Sequence, residues 1–68
     1  MEKIKVYIVI TGEDYTDGFF DCVFRCLKDA EKYCRQDGFK FKKREGLYCG
    51  KISGDPWWRR IEEINMYE

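Results

Sequence analysis

The feature that most constrains the fold is a nearly unbroken apolar segment close to the start of the chain. Residues 3–11 read Lys-Ile-Lys-Val-Tyr-Ile-Val-Ile-Thr. Branched side chains favour strands, and a continuous apolar run is typical of a central strand that is covered on both faces. Strand alternation puts two sets of side chains on opposite faces: Ile4, Val6, Ile8 and Ile10 on one, Tyr7 and Val9 on the other.

The next segments predict a hairpin. Residues 12–18, Gly-Glu-Asp-Tyr-Thr-Asp-Gly, hold two glycines and three acids and indicate a loop. Strand chemistry resumes over residues 19–25, where Phe20, Cys22 and Phe24 alternate with the other side chains. We expect two adjacent antiparallel strands.

A helix is predicted after this hairpin, over residues 27–36. Leu27, Ala30 and Cys34 recur at helical spacing and define one face. Gly38 fits the position that follows a helix end. No side chain suited to capping precedes Leu27.

The second half predicts more strands. Residues 39–45 alternate phenylalanine with lysine, which indicates a one-sided edge strand, and residues 47–52 suit a short return strand before a turn at 53–56. The last segment, 57–68, is ambiguous because Asp-Pro at 55–56 is also a good helix start. We favour a strand, since the sheet would otherwise be too small to support the helix.

The resulting order is β-β-α-β-(β)-β within one domain, residues 1–68. We expect an α+β, two-layer fold, with an antiparallel sheet of three to five strands and one helix packed on one face. A domain of 68 residues gains little net stability, so a homodimer or a bound partner is expected.

Charge and composition exclude several classes of protein. The chain is 44% hydrophobic with thirteen basic and thirteen acidic residues, which argues against disorder and against a dedicated nucleic-acid binder. No apolar run reaches the roughly 18 residues of a membrane span, and the first residues lack a secretory signal, so we expect a cytoplasmic protein. The charges are segregated along the chain, which suits electrostatic docking.

The four cysteines carry no clear chemical signature. Cys22, Cys26, Cys34 and Cys49 include one pair at x3 spacing, no second pair, and no histidine anywhere. Zinc sites and cysteine nucleophiles need those partners. We therefore expect buried or incidental thiols, no metal, no cofactor and no enzyme activity.

Three segments are candidate binding sites. The acidic loop, with Asp14, Tyr15 and Asp17, suits a partner's basic surface, although a solvated turn explains it as well. The basic run beside Phe39 and Phe41 suits a phosphate-bearing ligand or simply a charged edge strand. This run consists of Lys40, Lys42, Lys43 and Arg44.

The third segment is the tetrad Trp57, Trp58, Arg59 and Arg60. Adjacent tryptophans on a strand cannot both face the same core. One indole must face solvent, a dimer partner or a ligand, and tryptophan and arginine dominate binding hot spots. The alternatives are an interface, ordinary packing or nucleotide stacking.

Residues 7–18, Tyr-Ile-Val-Ile-Thr-Gly-Glu-Asp-Tyr-Thr-Asp-Gly, followed by Phe24 and Leu27-Lys-Asp-Ala-Glu-Lys-Tyr33, resemble small uncharacterised proteins of bacteriophages and mobile elements. The resemblance covers about residues 5–34. It implies a phage or prophage origin and a role in blocking a host defence system.

Together these features predict a small phage-type protein that binds and inhibits a host antiviral defence protein. The alternatives are a sponge that sequesters a nucleotide-like signal and a nucleic-acid-binding accessory protein.

Overall fold

The computed structural model describes residues 3–13, 16–50 and 56–67 of the 68-residue chain. The predicted turn residues 53–55 therefore lie outside the described part. The elements are β1 (Lys3–Glu13), β2 (Phe19–Phe24), α1 (Leu27–Cys34), a 3-10 turn (Gln36–Gly38), β3 (Lys40–Lys42), β4 (Leu47–Cys49) and β5 (Trp57–Tyr67). This order confirms the predicted sequence of elements and the α+β class. No helix in the described segments has the length and apolar character needed to cross a membrane.

The strands form one antiparallel, five-stranded sheet with the order β2-β1-β5-β4-β3. β1 pairs with β5 along its whole length, from Lys3 opposite Tyr67 to Glu13 opposite Trp57. The last segment is thus a strand, and β3 lies at a sheet edge, as predicted. β1 also pairs with β2 over Tyr7 to Thr11, and β5 also pairs with β4 at Trp58 and Arg59, so each long strand has a second partner over part of its length.

The core forms where α1 residues meet side chains of the sheet. Val9, Ala30, Cys34 and Tyr48 are buried in one cluster, with Ile61 packed against it. Ala30 and Cys34 confirm two positions of the predicted helical face. The prediction that Leu27 belongs to the buried face is wrong, because Leu27 is 43% exposed as the first residue of a helix of only 8 residues.

The end of the helix also differs from expectation. α1 ends at Cys34, with Arg35 as its C-cap, so Gly38 does not follow the helix directly. Gly38 closes the 3-10 turn instead, with a φ of 82° beside Asp37 with a φ of 63°. Glycine and aspartate are among the residues that adopt this left-handed conformation most readily, which lets the chain turn towards β3.

A β-bulge in β2 changes the predicted alternation of that strand. Val9 pairs with Cys22 but Ile10 pairs with Phe20, so Asp21 is an extra residue. Cys22 packs against the core, whereas Phe20 shares the opposite face with Ile10 and is 59% exposed. The expectation that Phe20 and Cys22 share a face is therefore wrong.

The two faces of β1 are buried to different degrees. Val9 is 0% exposed in the core cluster. On the opposite face Val6 is 8% exposed, Ile4, Ile8 and Ile10 are half-buried, and the cross-strand neighbours are more exposed. The predicted cover of both faces is therefore complete only in part. We call this second side the open face.

Candidate functional site

The two adjacent tryptophans of β5 lie in different environments. Trp58 is 8% exposed, and its Nε1 donates a hydrogen bond to the backbone oxygen of Glu13 at 2.8 Å. Gly12 and Gly18 make room for the ring, since a Cβ on Gly12 would lie 2.5 Å from Trp58 Cζ2. Trp57 is 40% exposed. The two indoles lie on opposite faces of the sheet, and only Trp57 keeps substantial exposure to solvent.

Arg59 lies inside the protein and braces the end of α1. Its guanidinium carbon is 4.1 Å from the ring centre of Phe39 and 5.2 Å from that of Tyr33. Its Nη1 donates to the backbone oxygens of Tyr33 at 3.2 Å and Gln36 at 3.3 Å. A cation at these carbonyl groups also complements the helix dipole. With a side chain 12% exposed, Arg59 presents little surface to a partner.

Arg60 points to the opposite side of β5. It forms an ion pair with Glu62 at 2.9 Å, and its guanidinium carbon lies 5.4 Å from the centre of the Trp58 ring. The side chain of Arg60 is 38% exposed. Of the predicted tetrad, Trp57 and Arg60 therefore remain accessible, while Trp58 and Arg59 serve packing.

A polar network connects the bulge to the helix. Asp21 accepts hydrogen bonds from Thr11 Oγ1 and from the Tyr33 hydroxyl, both at 2.7 Å. The hydrogen bond to Asp21, then burial, raises the pKa of Tyr33 to about 12. Burial, then the Asp21 charge, raises the pKa of the Cys22 thiol. The bond between Tyr33 and Asp21 connects α1 to β2.

The cysteines differ in accessibility. Cys34 is buried, and this burial raises its pKa to about 11, which suppresses the reactive thiolate. Cys26 is exposed. Within the described ranges, no three cysteines or acids lie together in a group that could hold a metal ion.

The acidic loop and Trp57 meet at one end of the sheet. Glu13 is paired with Trp57 across β1 and β5. Together with Asp17 and Phe19 they line a cleft of about 280 Å³. We call this the acidic-aromatic cleft. Asp14 and Tyr15, the other predicted residues of the loop, lie outside the described residues.

Thr16 binds Glu13 beside the cleft through three hydrogen bonds. The Thr16 hydroxyl accepts a hydrogen bond from the backbone N–H of Glu13 at 3.1 Å and donates to its backbone oxygen at 2.7 Å. The backbone N–H of Thr16 also donates to that oxygen, at 3.2 Å. Because the same oxygen accepts the Trp58 indole N–H, Thr16 and β5 are connected through one atom.

The chemistry of the cleft favours a cation. Phe19 is 56% exposed and Trp57 is 40% exposed, so aromatic surface is available beside two carboxylates. The face of an aromatic ring attracts a guanidinium or ammonium group, and the carboxylates add a charge of the right sign. Phosphate groups are disfavoured here for the same reason.

The predicted basic run lies at the far edge of the sheet. Lys40 and Lys42 are on β3, and Lys43 and Arg44 follow in the turn before β4; all four are exposed. Phe41 packs its ring against Tyr48, with 5.0 Å between centres. The register puts this aromatic pair on the face opposite to Lys40 and Lys42. The structure therefore does not interleave these lysines with aromatic rings on one face.

Glu13 belongs to the predicted acidic loop, whereas Phe19 was not among the predicted site residues. The signal of Phe19 was its position, directly after the glycine that ends the loop. Only the strand pairing reveals that both meet Trp57. No protein-family model, no curated protein and no solved structure matches the chain, so the case for this site rests on geometry.

Proposed function

We propose that the protein acts stoichiometrically, by binding and inhibiting a host antiviral defence protein through the acidic-aromatic cleft. The observation that carries the proposal is the meeting of Trp57 with the carboxylates of Glu13 and Asp17. Two segments far apart in the sequence, each a candidate for docking by itself, form one surface. The partner segment would be basic.

The exposed surface of the cleft supports a protein partner. Trp57 and Phe19 offer apolar area that a basic side chain can cover with its hydrocarbon stem while its charge reaches Glu13 or Asp17. Tryptophan is enriched among the residues that dominate binding energy. Inhibition by occupancy requires no bond making, and a small rigid sheet suffices to present such a surface.

The resemblance to phage proteins supports a host target in the cytoplasm. The proposed architecture has two layers, with α1 on one side of the sheet. In this arrangement Arg59 and Asp21 bind Tyr33 of α1, and no residue of α1 lines the cleft. The cleft thus stays accessible to the partner.

The test begins with capture of the partner from host lysate and continues with its affinity, measured by calorimetry on purified components. Trp57→Ala should weaken binding by about tenfold or more, the effect of a hot-spot residue. The double variant Glu13→Gln, Asp17→Asn should also weaken binding, and its loss of affinity should be larger at low salt than at high salt. Phe41→Ala is the matched control, because Phe41 is 51% exposed and lies at the other edge of the sheet.

Equal losses for Trp57→Ala and Phe41→Ala would reject the cleft as the contact site. The alternatives have their own outcomes. A nucleotide sponge releases a compound that absorbs near 260 nm when the purified protein is denatured. A nucleic-acid binder captures nucleic acid with an affinity that falls steeply with salt.

A further inference from the structure

The open face of the sheet carries more apolar surface than its surroundings cover. Its exposed side chains come from three neighbouring strands, β2, β1 and β5. They are Phe20 at 59%, Val23 at 50%, Ile64 at 36% and Met66 at 54%. Ile4, Ile8 and Ile10 lie between them, opposite Met66, Val23 and Phe20 respectively.

We propose that a second copy of this chain packs on the open face, so that two sheets form a sandwich. Sheets pack face to face about 10 Å apart, with their inner side chains interdigitated. A two-fold axis brings the same patch of both copies together, which a self-complementary surface permits. The proposal does not depend on the acidic-aromatic cleft.

The area of the face fits this occupant. β1 and β5 have 11 residues each and β2 has 6. At about 3.4 Å per residue and about 4.8 Å between strands, they cover roughly 450 Å² in flat projection. Protruding side chains add to this value, so two copies bury about 1,000 Å² in total, the lower limit for a specific interface.

The charges of the face are self-complementary. Arg60 and Glu62 of β5 both lie on the open face, opposite Ile10 and Ile8 respectively. Their side chains are 38% and 43% exposed. Across a two-fold axis between them, Arg60 faces Glu62 of the partner subunit, and the reverse pair forms as well. A uniformly basic or acidic partner would leave one of the two opposite a like charge.

The charged edge strand β3 limits how much of the open face two copies can cover. Lys40 and Lys42 of β3 project to the same side as Cys49 and Trp58, as the register requires. Two like-charged edges placed against each other would repel. The contact is therefore centred on β1, over β2, β1 and β5.

The experiment is sedimentation equilibrium of the full chain over a range of concentrations. The wild type should show a monomer–dimer equilibrium. Val23→Lys should raise the dissociation constant by about tenfold or more, because the added charge is buried without a partner. Leu27→Lys is the control, since Leu27 is similarly exposed but lies on α1. Circular dichroism checks that both variants are folded.

A charge exchange separates contacts between copies from contacts within one copy. Arg60→Glu and Glu62→Arg should each weaken self-association. An equimolar mixture of the two variants should form a heterodimer more tightly than either variant forms a homodimer, although the ion pair within each chain is broken. A monomeric wild type up to millimolar concentration, or a dimer that tolerates Val23→Lys as well as Leu27→Lys, would overturn the proposal.

Discussion

Replacing Arg59 should destabilise the protein far more than replacing an exposed arginine. The side chain is 12% exposed, stacks on Phe39 and Tyr33, and donates to two carbonyl groups at the end of α1. Arg59→Ala removes the stacking and the hydrogen bonds that the guanidinium donates to the Tyr33 and Gln36 carbonyl groups. We expect the free energy of unfolding to fall by about 3 kcal/mol.

This magnitude follows from the contacts. A hydrogen bond from a charged donor contributes about 1.5–3 kcal/mol when it is protected from water, and a cation–π contact about 0.5–1 kcal/mol. The Gln36 bond is exposed and counts for less, as does the ion pair with Asp37, whose side chain is 76% exposed. Arg59 Nε is buried without a hydrogen-bond partner in the described structure, which offsets part of the gain.

Urea unfolding followed by far-ultraviolet circular dichroism measures the effect. A chain of this size has about 3–10 kcal/mol of stability, so Arg59→Ala can unfold it completely. Arg59→Lys is the milder variant, because lysine keeps the charge but cannot stack or donate to both carbonyl groups at once; we expect a loss of about 2 kcal/mol. Arg44→Ala, in the exposed turn, should change stability by less than about 0.5 kcal/mol. Equal losses for Arg59→Lys and Arg44→Ala would refute the bracing role.

Three further perturbations test the described contacts. The pKa of Tyr33 is raised from its ordinary 10 to about 12 in the folded protein. The stability that this hydroxyl contributes is therefore fully present below pH 10 and is lost as the pH rises through 12. Urea midpoints should fall more steeply above pH 10 for the wild type than for Tyr33→Phe. Gly12→Ala should cost about 1–3 kcal/mol, because the new methyl group would lie 2.5 Å from the Trp58 ring and 2.7 Å from Gly18 Cα, and the share due to the ring should be lost in a Trp58→Leu background. Iodoacetamide should label Cys26 in the folded protein and Cys34 only after denaturation, as peptide mass spectrometry can show.

Each of these has a result that would contradict it. Parallel pH profiles for the wild type and Tyr33→Phe would show that the hydroxyl does not bind Asp21 in solution. An unchanged cost of Gly12→Ala after removal of the indole would place the strain in the backbone instead. Early labelling of Cys34 would mean that α1 opens readily from the sheet.

The strands could be predicted because their signals are local. Branched residues over 3–11 and the alternation of phenylalanine with lysine over 39–45 depend on neighbours in the sequence. The helix face was predictable at Ala30 and Cys34 for the same reason. Leu27 was not, because helical spacing does not show that the helix begins at this residue and leaves it 43% exposed.

The site residues depend on distant pairing, which a single sequence does not reveal. Which indole is buried is decided by Gly12 and Gly18, whose missing side chains make space for Trp58. The interior position of Arg59 depends on Tyr33 and Phe39 meeting on one side of β5. An arginine beside two tryptophans suggests an interface from sequence, yet here it packs inside.

The pairing of the first strand with the last has a consequence during synthesis. β1 lies between β2 and β5, and β5 is synthesised long after β1. Until then the isoleucine-rich strand has one vacant edge, and a contact this distant along the chain forms slowly. Neighbouring nascent chains on one messenger RNA can therefore pair with each other at this vacant edge. Expression at a low rate and low temperature should raise the yield of correctly assembled protein.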